Sequence, residues 1–430
     1  MPRPSVFLVP LIALTAAPAA ARAQQLPTAR PEEVGLSSDR LQRISRVMQQ
    51  YVDSGRVPGV ITLILRRGRV VHSGAFGWAD RESRRRMAPD ALFRIASQTK
   101  AITSVAAMML IEEGRLTLND PVSRFIPSFA RTSVAVARDS TVPAKRAITV
   151  RDLLTHTAGI SYGTDSLLLD RYRTAGLGPA AGYGWYLADK TEPVCATMER
   201  LGTLPFAAQP GERWVYGYGT DVLGCVVERA SGQSLDAFFR QRIFEPLGMR
   251  DTRFCVLPDQ RPRLVTVYAV TAEGRLERAP EGPRGQGEYL GGPCVNFSGG
   301  AGLVSTATDY ARFLQMLLNG GELDGTRILG PKTVALMTVN HVGTLYSESD
   351  LGFGLGFQVM GALGRSGEYG SPRMFSWGGA YYTQYWVDPA EGLVALLMTQ
   401  LLPHRAPGLA DRFRALVYQA IVEEERRAAR

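Results

Sequence analysis

Strand-forming segments lie near both ends of this 430-residue chain, with a long stretch of different character between them. Residues 60–65 and 70–76 are rich in β-branched residues and flank a turn at residues 66–69, as in a hairpin. Residues 375–387, which are aromatic and alternating, and residues 393–398 form a second pair around a turn that contains Pro and Gly. Strands so distant in sequence share one sheet only if the two ends of the chain meet.

Helical periodicity marks the segments beside these strands. Apolar residues recur at helical spacing over residues 41–51, after a pair of serines suited to cap a helix, and again over residues 409–421. Residues 101–113 are apolar nearly all round, which is typical of a buried helix. We therefore predict an α+β fold, in which one antiparallel sheet is built from both chain termini and flanked by the first and last helices.

The predicted organisation has two folded parts. Residues 24–116 and 298–430 form a discontinuous α/β domain, and residues 117–297 form an inserted, mostly helical domain that supplies loops to the substrate pocket. Residues 261–297 of the inserted part have the composition of an irregular segment. We expect a site at the seam between the two parts.

The first 23 residues have the pattern of a secretory signal peptide. Arg3 precedes an apolar run over residues 6–20, and Ala21-Arg22-Ala23 fits the small-x-small rule for cleavage after Ala23. The run is too short for a transmembrane helix, which needs about 20 apolar residues. We expect a periplasmic or secreted protein without stable membrane insertion.

The net charge of +9 does not by itself indicate a nucleic-acid partner. Nucleic-acid-binding proteins usually concentrate basic residues on one face, whereas Arg is spread along this chain. Export permits disulfides, and the four cysteines allow three full pairings. Cys225 lies in an apolar run that equally suits a buried free thiol. The chain has no Cys-x-x-Cys or His-x-x-x-His spacing, so we expect no metal site.

The first candidate for chemistry is Ser97-Gln98-Thr99-Lys100, at the start of the predicted buried helix. Ser97 and Lys100 would share one face, and free backbone N–H groups at the helix start favour a developing anion at Ser97. Burial disfavours the charged ammonium of a Lys, and a Lys tuned in this way can activate a Ser. Alone, the same four residues are equally typical of a helix cap followed by a surface Lys.

Two further motifs decide between these interpretations. Tyr216 lies in Trp214-Val215-Tyr216-Gly217-Tyr218, and the segment Ser376-Trp377-Gly378-Gly379-Ala380 lies in the C-terminal strand region. The three motifs, in this order and spacing, resemble those of the serine β-lactamase and penicillin-binding protein superfamily. The resemblance extends from about residue 35 to 425, and it is closest to class C β-lactamases and, within that group, to the family VIII carboxylesterases.

The resemblance implies a role for each motif. Ser97 would be the acylated nucleophile, and Lys100 and Tyr216 would act together as general base and acid. The backbone N–H groups of Ser97 and Ala380 would form the oxyanion hole. The residues implied to contact substrate are Trp377, Gly378, Gly379 and Tyr218. No cofactor or metal is implied.

Two departures from the lactamase motifs bear on the substrate. Tyr218 stands where lactamases have the Asn of Tyr-x-Asn, and Trp377 stands where they have the Lys of Lys-Thr-Gly. Loss of that Lys removes a charge-assisted contact with an anionic substrate, worth roughly 1.5–3 kcal/mol, although Arg373 is a candidate replacement. We expect a carboxylesterase acting on neutral or hydrophobic esters. The alternative is β-lactamase or D-amino-acid peptidase activity at the same site.

Two other classes of protein, an inactive binding homologue and an α/β-hydrolase, fit the sequence less well. An inactive homologue that binds peptidoglycan would lack a catalytic residue, and this chain keeps all three. Residues 159–163 match the Gly-x-Ser-x-Gly elbow of α/β-hydrolases, with Ser161 as nucleophile, but the elbow needs a preceding strand, and residues 150–156 favour a helix. His156 is better explained as a structural hydrogen-bonding group than as a base. The sequence indicates neither the oligomeric state nor the physiological substrate.

Overall fold

The computed structural model describes residues 25–177, 187, 189–282, 285–362, 364–403 and 406–423. The predicted signal peptide over residues 1–23 lies outside these ranges and stays a prediction. Among the described residues, none of the helices combines the length and the apolar character needed to cross a membrane.

Eleven α-helices are found in the described part of the chain. They are α1 (Ser38–Asp53), α2 (Thr99–Glu112), α3 (Val150–Leu154), α4 (Leu169–Thr174), α5 (Val194–Gly202), α6 (Gly219–Ser231), α7 (Leu235–Phe239), α8 (Glu245–Leu247), α9 (Ala307–Leu318), α10 (Pro331–Met337) and α11 (Leu409–Tyr418). Short 3-10 helices cover Pro31–Val34, Ala96–Gln98, Val122–Arg124, Pro127–Arg131 and Pro258–Arg263, and a π-helical turn covers Arg240–Phe244.

The strands of the described residues are mostly short. They are β1 (Gly59–Arg66), β2 (Arg69–Asp80), β3 (Arg85–Arg86), β4 (Phe93–Arg94), β5 (Ser133–Ala137), β6 (Ser140–Pro143), β7 (Tyr268–Val270), β8 (Leu276–Arg278), β9 (Val304–Ser305), β10 (Glu322–Leu323), β11 (Thr326–Arg327), β12 (Leu351–Phe353), β13 (Gln358–Met360), β14 (Phe375–Gly379), β15 (Thr383–Asp388), β16 (Leu393–Met398) and β17 (Leu401–Leu402).

The central sheet joins the two ends of the chain, as the sequence predicts. Its eight strands run in the order β12-β13-β14-β15-β16-β1-β2-β3. The junction is the antiparallel pair of β1 and β16, in which Ile61 lies opposite Met398 and Arg66 lies opposite Leu393. The α+β fold with a sheet built from both termini is therefore confirmed.

Both faces of this sheet are buried, because side chains alternate across each strand. On β1, Ile61, Leu63 and Leu65 belong to one apolar cluster, while Val60 and Ile64 belong to the other. This is why β1 is a continuous apolar run instead of an alternating one.

The first and last helices cover one face of the sheet. The hydroxyl of Ser37 accepts a hydrogen bond from the backbone N–H of Arg40 and so caps α1. The buried residues of α1 are Leu41, Ile44, Met48 and Tyr51, as the helical spacing predicts. They join the buried side chains of α11 in one cluster. On the opposite face, α9 contacts β1 and β16.

Three features of the chain differ from the sequence predictions. Residues 375–387 form two strands, β14 and β15, because the chain turns at residues 380–382, where Tyr382 has a φ of +67°. The segment over residues 261–297 contains the strands β7 and β8, which pair with each other, and β7 also pairs with β17. The hairpin of β5 and β6 lies within the part predicted to be mostly helical.

The cysteines form two disulfides. Cys195–Cys225 joins α5 to α6, and Cys255–Cys294 joins two loop segments. The interpretation of Cys225 as a free thiol is wrong, although its side chain is fully buried. Of the three full pairings that four cysteines allow, the structure has Cys195 with Cys225 and Cys255 with Cys294.

Candidate active site

Ser97 lies in a tight turn that leads directly into α2. The turn is the 3-10 helix Ala96–Gln98, and Ala96 adopts a φ of +41°, which is unfavourable for a residue with a Cβ. Long-range hydrogen bonds hold the turn on both sides. The N–H of Ile95 donates to the carbonyl of Leu303 (3.1 Å), and the hydroxyl of Tyr310 donates to the backbone carbonyl of Gln98 (2.8 Å). Strained backbone of this kind is typical of functional sites.

Lys100 is buried beneath Ser97, and its ammonium has three hydrogen-bond partners. Its Nζ lies 2.7 Å from the carbonyl oxygen of Gly300, 3.1 Å from the hydroxyl of Tyr162 and 3.4 Å from Oγ of Ser97. An ammonium has three N–H donors, so this geometry satisfies all of them. Lys100 is therefore not the surface Lys of the alternative interpretation.

Tyr216 lies beside Lys100, although the contact differs from the simplest expectation. Nζ of Lys100 lies 4.6 Å from the centre of the Tyr216 ring, which is a cation–π arrangement. The Tyr216 hydroxyl accepts a hydrogen bond from the indole N–H of Trp377 at 3.3 Å. The Tyr216 hydroxyl thus joins the second and third motifs. The ammonium of Lys100, from the first motif, lies over the ring that carries this hydroxyl.

Tyr162 was missed by the sequence analysis. Its hydroxyl binds Lys100, and its ring packs edge-on against that of Tyr216 at 5.7 Å. Burial, with the neighbouring Tyr216 and Asp221, raises the pKa of the Tyr162 phenol well above its usual range, so the phenol stays protonated. The loop of Tyr162 lies against Gly217, where a Cβ would come within 2.3 Å of the Ile160 carbonyl oxygen.

The Gly-x-Ser-x-Gly match therefore has a structural explanation. Ser161 follows the short helix α3 and a loop, with no strand before it. Its hydroxyl donates to the carboxylate of Asp165 at 3.0 Å and accepts from the backbone N–H of Gly163. These contacts shape the loop that carries Tyr162, and the strand–turn–helix elbow of α/β-hydrolases is absent at this position.

Tyr218 is placed differently from the expectation that it contacts substrate. Its side chain is fully buried and packs edge-on against Tyr162, with ring centres 4.9 Å apart. It lies one layer behind the cavity wall, because Tyr162 occupies the position in front of it. Tyr218 therefore supports the site without lining it.

A cavity of about 450 Å³ opens over Ser97. Its walls include Tyr162, Tyr216, the end of β14 from Trp377 to Gly379 and the next residue, Ala380. They also include Gln384 and the charged side chains of Asp411 and Arg414 on α11.

Arg373 does not replace the missing lactamase Lys. Its side chain is exposed and is not among the residues that line the cavity. The cation in the wall is Arg414, which forms an ion pair with Glu368. Because Glu368 neutralises it, Arg414 offers a bound anion less attraction than a free Lys would.

The end of β14 lies against the turn that carries Ser97. A Cβ on Gly379 would come within 2.3 Å of the carbonyl oxygen of Ile95, so this close approach requires Gly. Within the described part of the chain, no hydrogen bond between separate elements uses the backbone N–H of Ser97 or of Ala380. Both amides therefore remain able to donate to another acceptor.

His156 lies behind Tyr216 in a group of aromatic rings. Its ring lies 4.8 Å from that of Tyr216 and 5.3 Å from that of Phe353. Complete burial, together with the charge of Lys100, lowers the pKa of His156 to about 3. A neutral imidazole of such low basicity is unsuited to act as a general base, and its Nδ1 has no hydrogen-bond partner among the described residues. The structural role of His156 is therefore aromatic packing, whereas the sequence predicted structural hydrogen bonding.

No group of three or more His, Cys, Asp or Glu side chains in the described ranges is arranged to hold a metal ion.

Comparison with known proteins places the chain in a family. The beta-lactamase family model matches residues 44–419, which is most of the chain. The chain belongs to the beta-lactamase family. It is therefore a hydrolase of the β-lactamase fold, as the three motifs predict.

Relatives with different named activities share this fold and length. Esterase EstB of Burkholderia gladioli is 33% identical over 378 residues, which cover 83% of this chain and 89% of the relative. A putative D-alanyl-D-alanine carboxypeptidase of Escherichia coli K12 is 28% identical over 425 residues, 93% of this chain and 91% of the relative. The solved structure of EstCE1, a hydrolase with promiscuous acyltransferase activity, aligns with a TM-score of 0.76 and 30% identity, covering 88% of this chain and 99% of EstCE1.

Proposed function

We propose that this protein is a carboxylesterase that works through an acyl-enzyme on Ser97. The observation that carries the proposal is the cluster of Ser97, Lys100 and Tyr216 at one cavity whose wall has Trp377 at the lactamase Lys position. The esterase name of EstB and the description of EstCE1 as a hydrolase support the same activity.

The reactive form is the one in which the pair of Lys100 and Tyr216 has one proton fewer than an ammonium and a phenol together. Acylation begins when Oγ of Ser97 attacks the ester carbonyl carbon, while its proton passes to this pair. The carbonyl oxygen becomes an oxyanion that accepts hydrogen bonds from the N–H groups of Ser97 and Ala380. When the tetrahedral intermediate collapses, the C–O bond to the alcohol breaks and the pair returns its proton to the departing alkoxide. The product is an alcohol, and the acyl group stays on Ser97.

Deacylation repeats these steps with water. The pair removes a proton from the water as its oxygen attacks the acyl carbon, and the second oxyanion uses the same two amides. The bond to Oγ of Ser97 then breaks, and Oγ recovers its proton. The carboxylic acid product leaves, and the enzyme returns to its starting state without a cofactor.

The cavity favours a neutral ester with an apolar group near the scissile bond. Trp377, Tyr216 and Tyr162 present aromatic surface beside Ser97, and Arg414 of the cavity wall is paired with Glu368. A cavity of about 450 Å³ suits a small or medium-sized ester.

A second candidate function is the cleavage of a D-amino-acid peptide or a β-lactam at the same site. The carboxypeptidase name of the E. coli relative and the presence of Arg414 in the cavity wall favour it. The ion pair of Arg414 with Glu368 argues against tight binding of a substrate carboxylate.

We further propose that the protein is periplasmic or secreted after cleavage behind Ala23. Two disulfides suit an oxidising compartment. The division into residues 24–116 with 298–430 and residues 117–297 is also proposed as the domain organisation, with the site at the seam.

The test is a direct comparison of p-nitrophenyl butyrate with nitrocefin, using Ser97→Ala as the blank. We expect kcat/KM for the ester to exceed that for the lactam, because the lactam carboxylate lacks an unpaired cation to bind. A lactam rate far above the ester rate would reverse the order of the two candidate functions.

A further inference from the structure

Asp221 is a buried carboxylate that the proposed mechanism does not use. It lies in the first turn of α6, shortly after Tyr216, and its side chain is fully buried. No Lys, Arg or His of the described residues forms an ion pair with it within 4 Å. A buried charge is costly unless neighbouring groups stabilise it, so its surroundings call for an explanation.

One carboxylate oxygen of Asp221 is held by the loop that precedes β9. Oδ1 accepts hydrogen bonds from the hydroxyl of Ser298 (2.5 Å) and from the backbone N–H of Gly300 (3.1 Å). Oδ2 lies against Gly300, where a Cβ would come within 2.4 Å of it, and has no hydrogen-bond partner among the described residues. Gly300 must therefore be Gly for the loop to close over the carboxylate.

The same residue of the loop binds Lys100. The carbonyl oxygen of Gly300 accepts the shortest hydrogen bond of Nζ, at 2.7 Å, while its N–H donates to Asp221. The Gly300 residue thus lies between the carboxylate and the ammonium. The hydroxyl of Thr103, one turn along α2, donates to the Gly299 carbonyl at 2.7 Å and holds the loop against the helix.

Asp221 is the acidic residue whose charge interacts with that of Lys100. The titratable side chains that face Lys100 are Tyr162, which stays protonated, Tyr216, whose ring lies over Nζ, and His156, which is neutral. Tyr218 lies behind Tyr162, with ring centres 4.9 Å apart. Burial raises the pKa of Asp221 above its usual value, while the charge of Lys100 and the hydrogen bonds from Ser298 and Gly300 oppose that shift and favour the carboxylate.

We propose that Asp221 is a positioning residue that supplies the buried counter-charge of Lys100 and fixes the Gly300 carbonyl against its ammonium. The inference rests on the proposed function, in which Lys100 and Tyr216 receive the proton of Ser97. A negative charge beside the pair holds its proton more tightly, so Asp221 sets the pH at which the pair becomes able to accept a proton.

The test is the pH dependence of kcat/KM for Asp221→Asn on p-nitrophenyl butyrate. Asn keeps the size of the side chain and an oxygen that accepts from Ser298 and Gly300, but it removes the charge. We expect the acid limb of the profile to move to lower pH by about half a unit to one unit. The matched control is Glu228→Gln, a half-buried carboxylate on the same helix that binds the N–H of Leu235, and its limb should not move.

An Asp221→Asn enzyme that is folded, and whose activity falls equally at every pH, would overturn the inference and leave Asp221 a merely structural residue. If this variant does not fold, as judged by circular dichroism, Asp221→Ala decides. That change also removes the charge, so the limb should move in the same direction. An unmoved limb in folded Asp221→Ala would equally overturn the inference.

Ser97→Ala separates this inference from the proposed function. If Ser97→Ala retains esterase activity, the proposed function fails whatever Asp221 does. If Ser97→Ala is inactive and the limb of Asp221→Asn is unmoved, only the role of Asp221 fails.

Discussion

At the scale of single residues, Lys100 is the centre of the site. Its Nζ contacts Ser97 and Tyr162 by hydrogen bonds and Tyr216 through its ring. Ser97, Lys100 and Tyr216 could be found from the sequence, because each stands in a short motif. Tyr162 and the Gly300 carbonyl could not, since they reach Lys100 only through long-range packing and a carbonyl has no sequence signature.

The two tyrosines beside Lys100 should differ in their effect on catalysis. Tyr216→Phe should lower kcat by about 10²–10⁴, the usual range for loss of a general acid–base group. Tyr162→Phe should cost less, because Lys100 keeps its contacts with Gly300 and Ser97. Both values follow from steady-state kinetics on p-nitrophenyl butyrate.

Tyr418→Phe is the control for these variants. Its hydroxyl donates to Asp388 on the face of the sheet covered by α1 and α11, so its loss should leave kcat unchanged. Full activity in Tyr216→Phe would assign proton transfer to Lys100 alone.

At the scale of secondary structure, the hairpin of β14 and β15 brings the third motif to the first. Its turn could not be predicted, because residues 380–382 contain no Gly or Pro and the aromatic alternation continues across them. The helix spacing of α1 and α11, in contrast, was readable because each helix buries one periodic face.

The close approach of β14 to the Ser97 turn gives a prediction at this scale. Gly379→Ala should lower kcat at least about 10-fold while the fold is retained, because its Cβ would come within 2.3 Å of the Ile95 carbonyl and push the strand away from Ser97. Steady-state kinetics beside a thermal melt separates the two effects.

Gly291→Ala serves as the comparison, since nothing lies within 4 Å of the position of its new Cβ. If Gly379→Ala has the activity of the unchanged protein, the contact between β14 and the turn does not matter for catalysis.

At the scale of the whole molecule, one sheet made from both chain ends supports the site. Continuous apolar strands such as β1 and β16, buried on both faces, could be predicted from composition. The pairs β7–β8 and β5–β6 could not, because strands of three to five residues carry too little pattern.

Buried histidines make the stability of the whole molecule depend on pH. Burial lowers the pKa of His156 to about 3 and that of His72 to about 4, so both stay neutral in the native state while the unfolded chain binds protons below about pH 6.5. The free energy of unfolding therefore falls as the pH drops below 6.5. Asp309 acts in the opposite direction, because burial raises its pKa to about 6 and its protonated form is favoured in the native state.

His156→Gln isolates one of these contributions. Between pH 7 and pH 5, its free energy of unfolding should fall by about 2 kcal/mol less than that of the unchanged protein, at about 1.4 kcal/mol per pH unit below 6.5. Urea unfolding at the two pH values measures the difference. An equal fall in the two proteins would contradict the neutral, buried state of His156.

The measurement that tests the central claim most directly is labelling with a fluorophosphonate, which modifies activated serines, followed by peptide mapping. We expect one modified residue, Ser97, with labelling and ester hydrolysis lost together in Ser97→Ala. Modification of Ser161, or esterase activity that survives in Ser97→Ala, would contradict it.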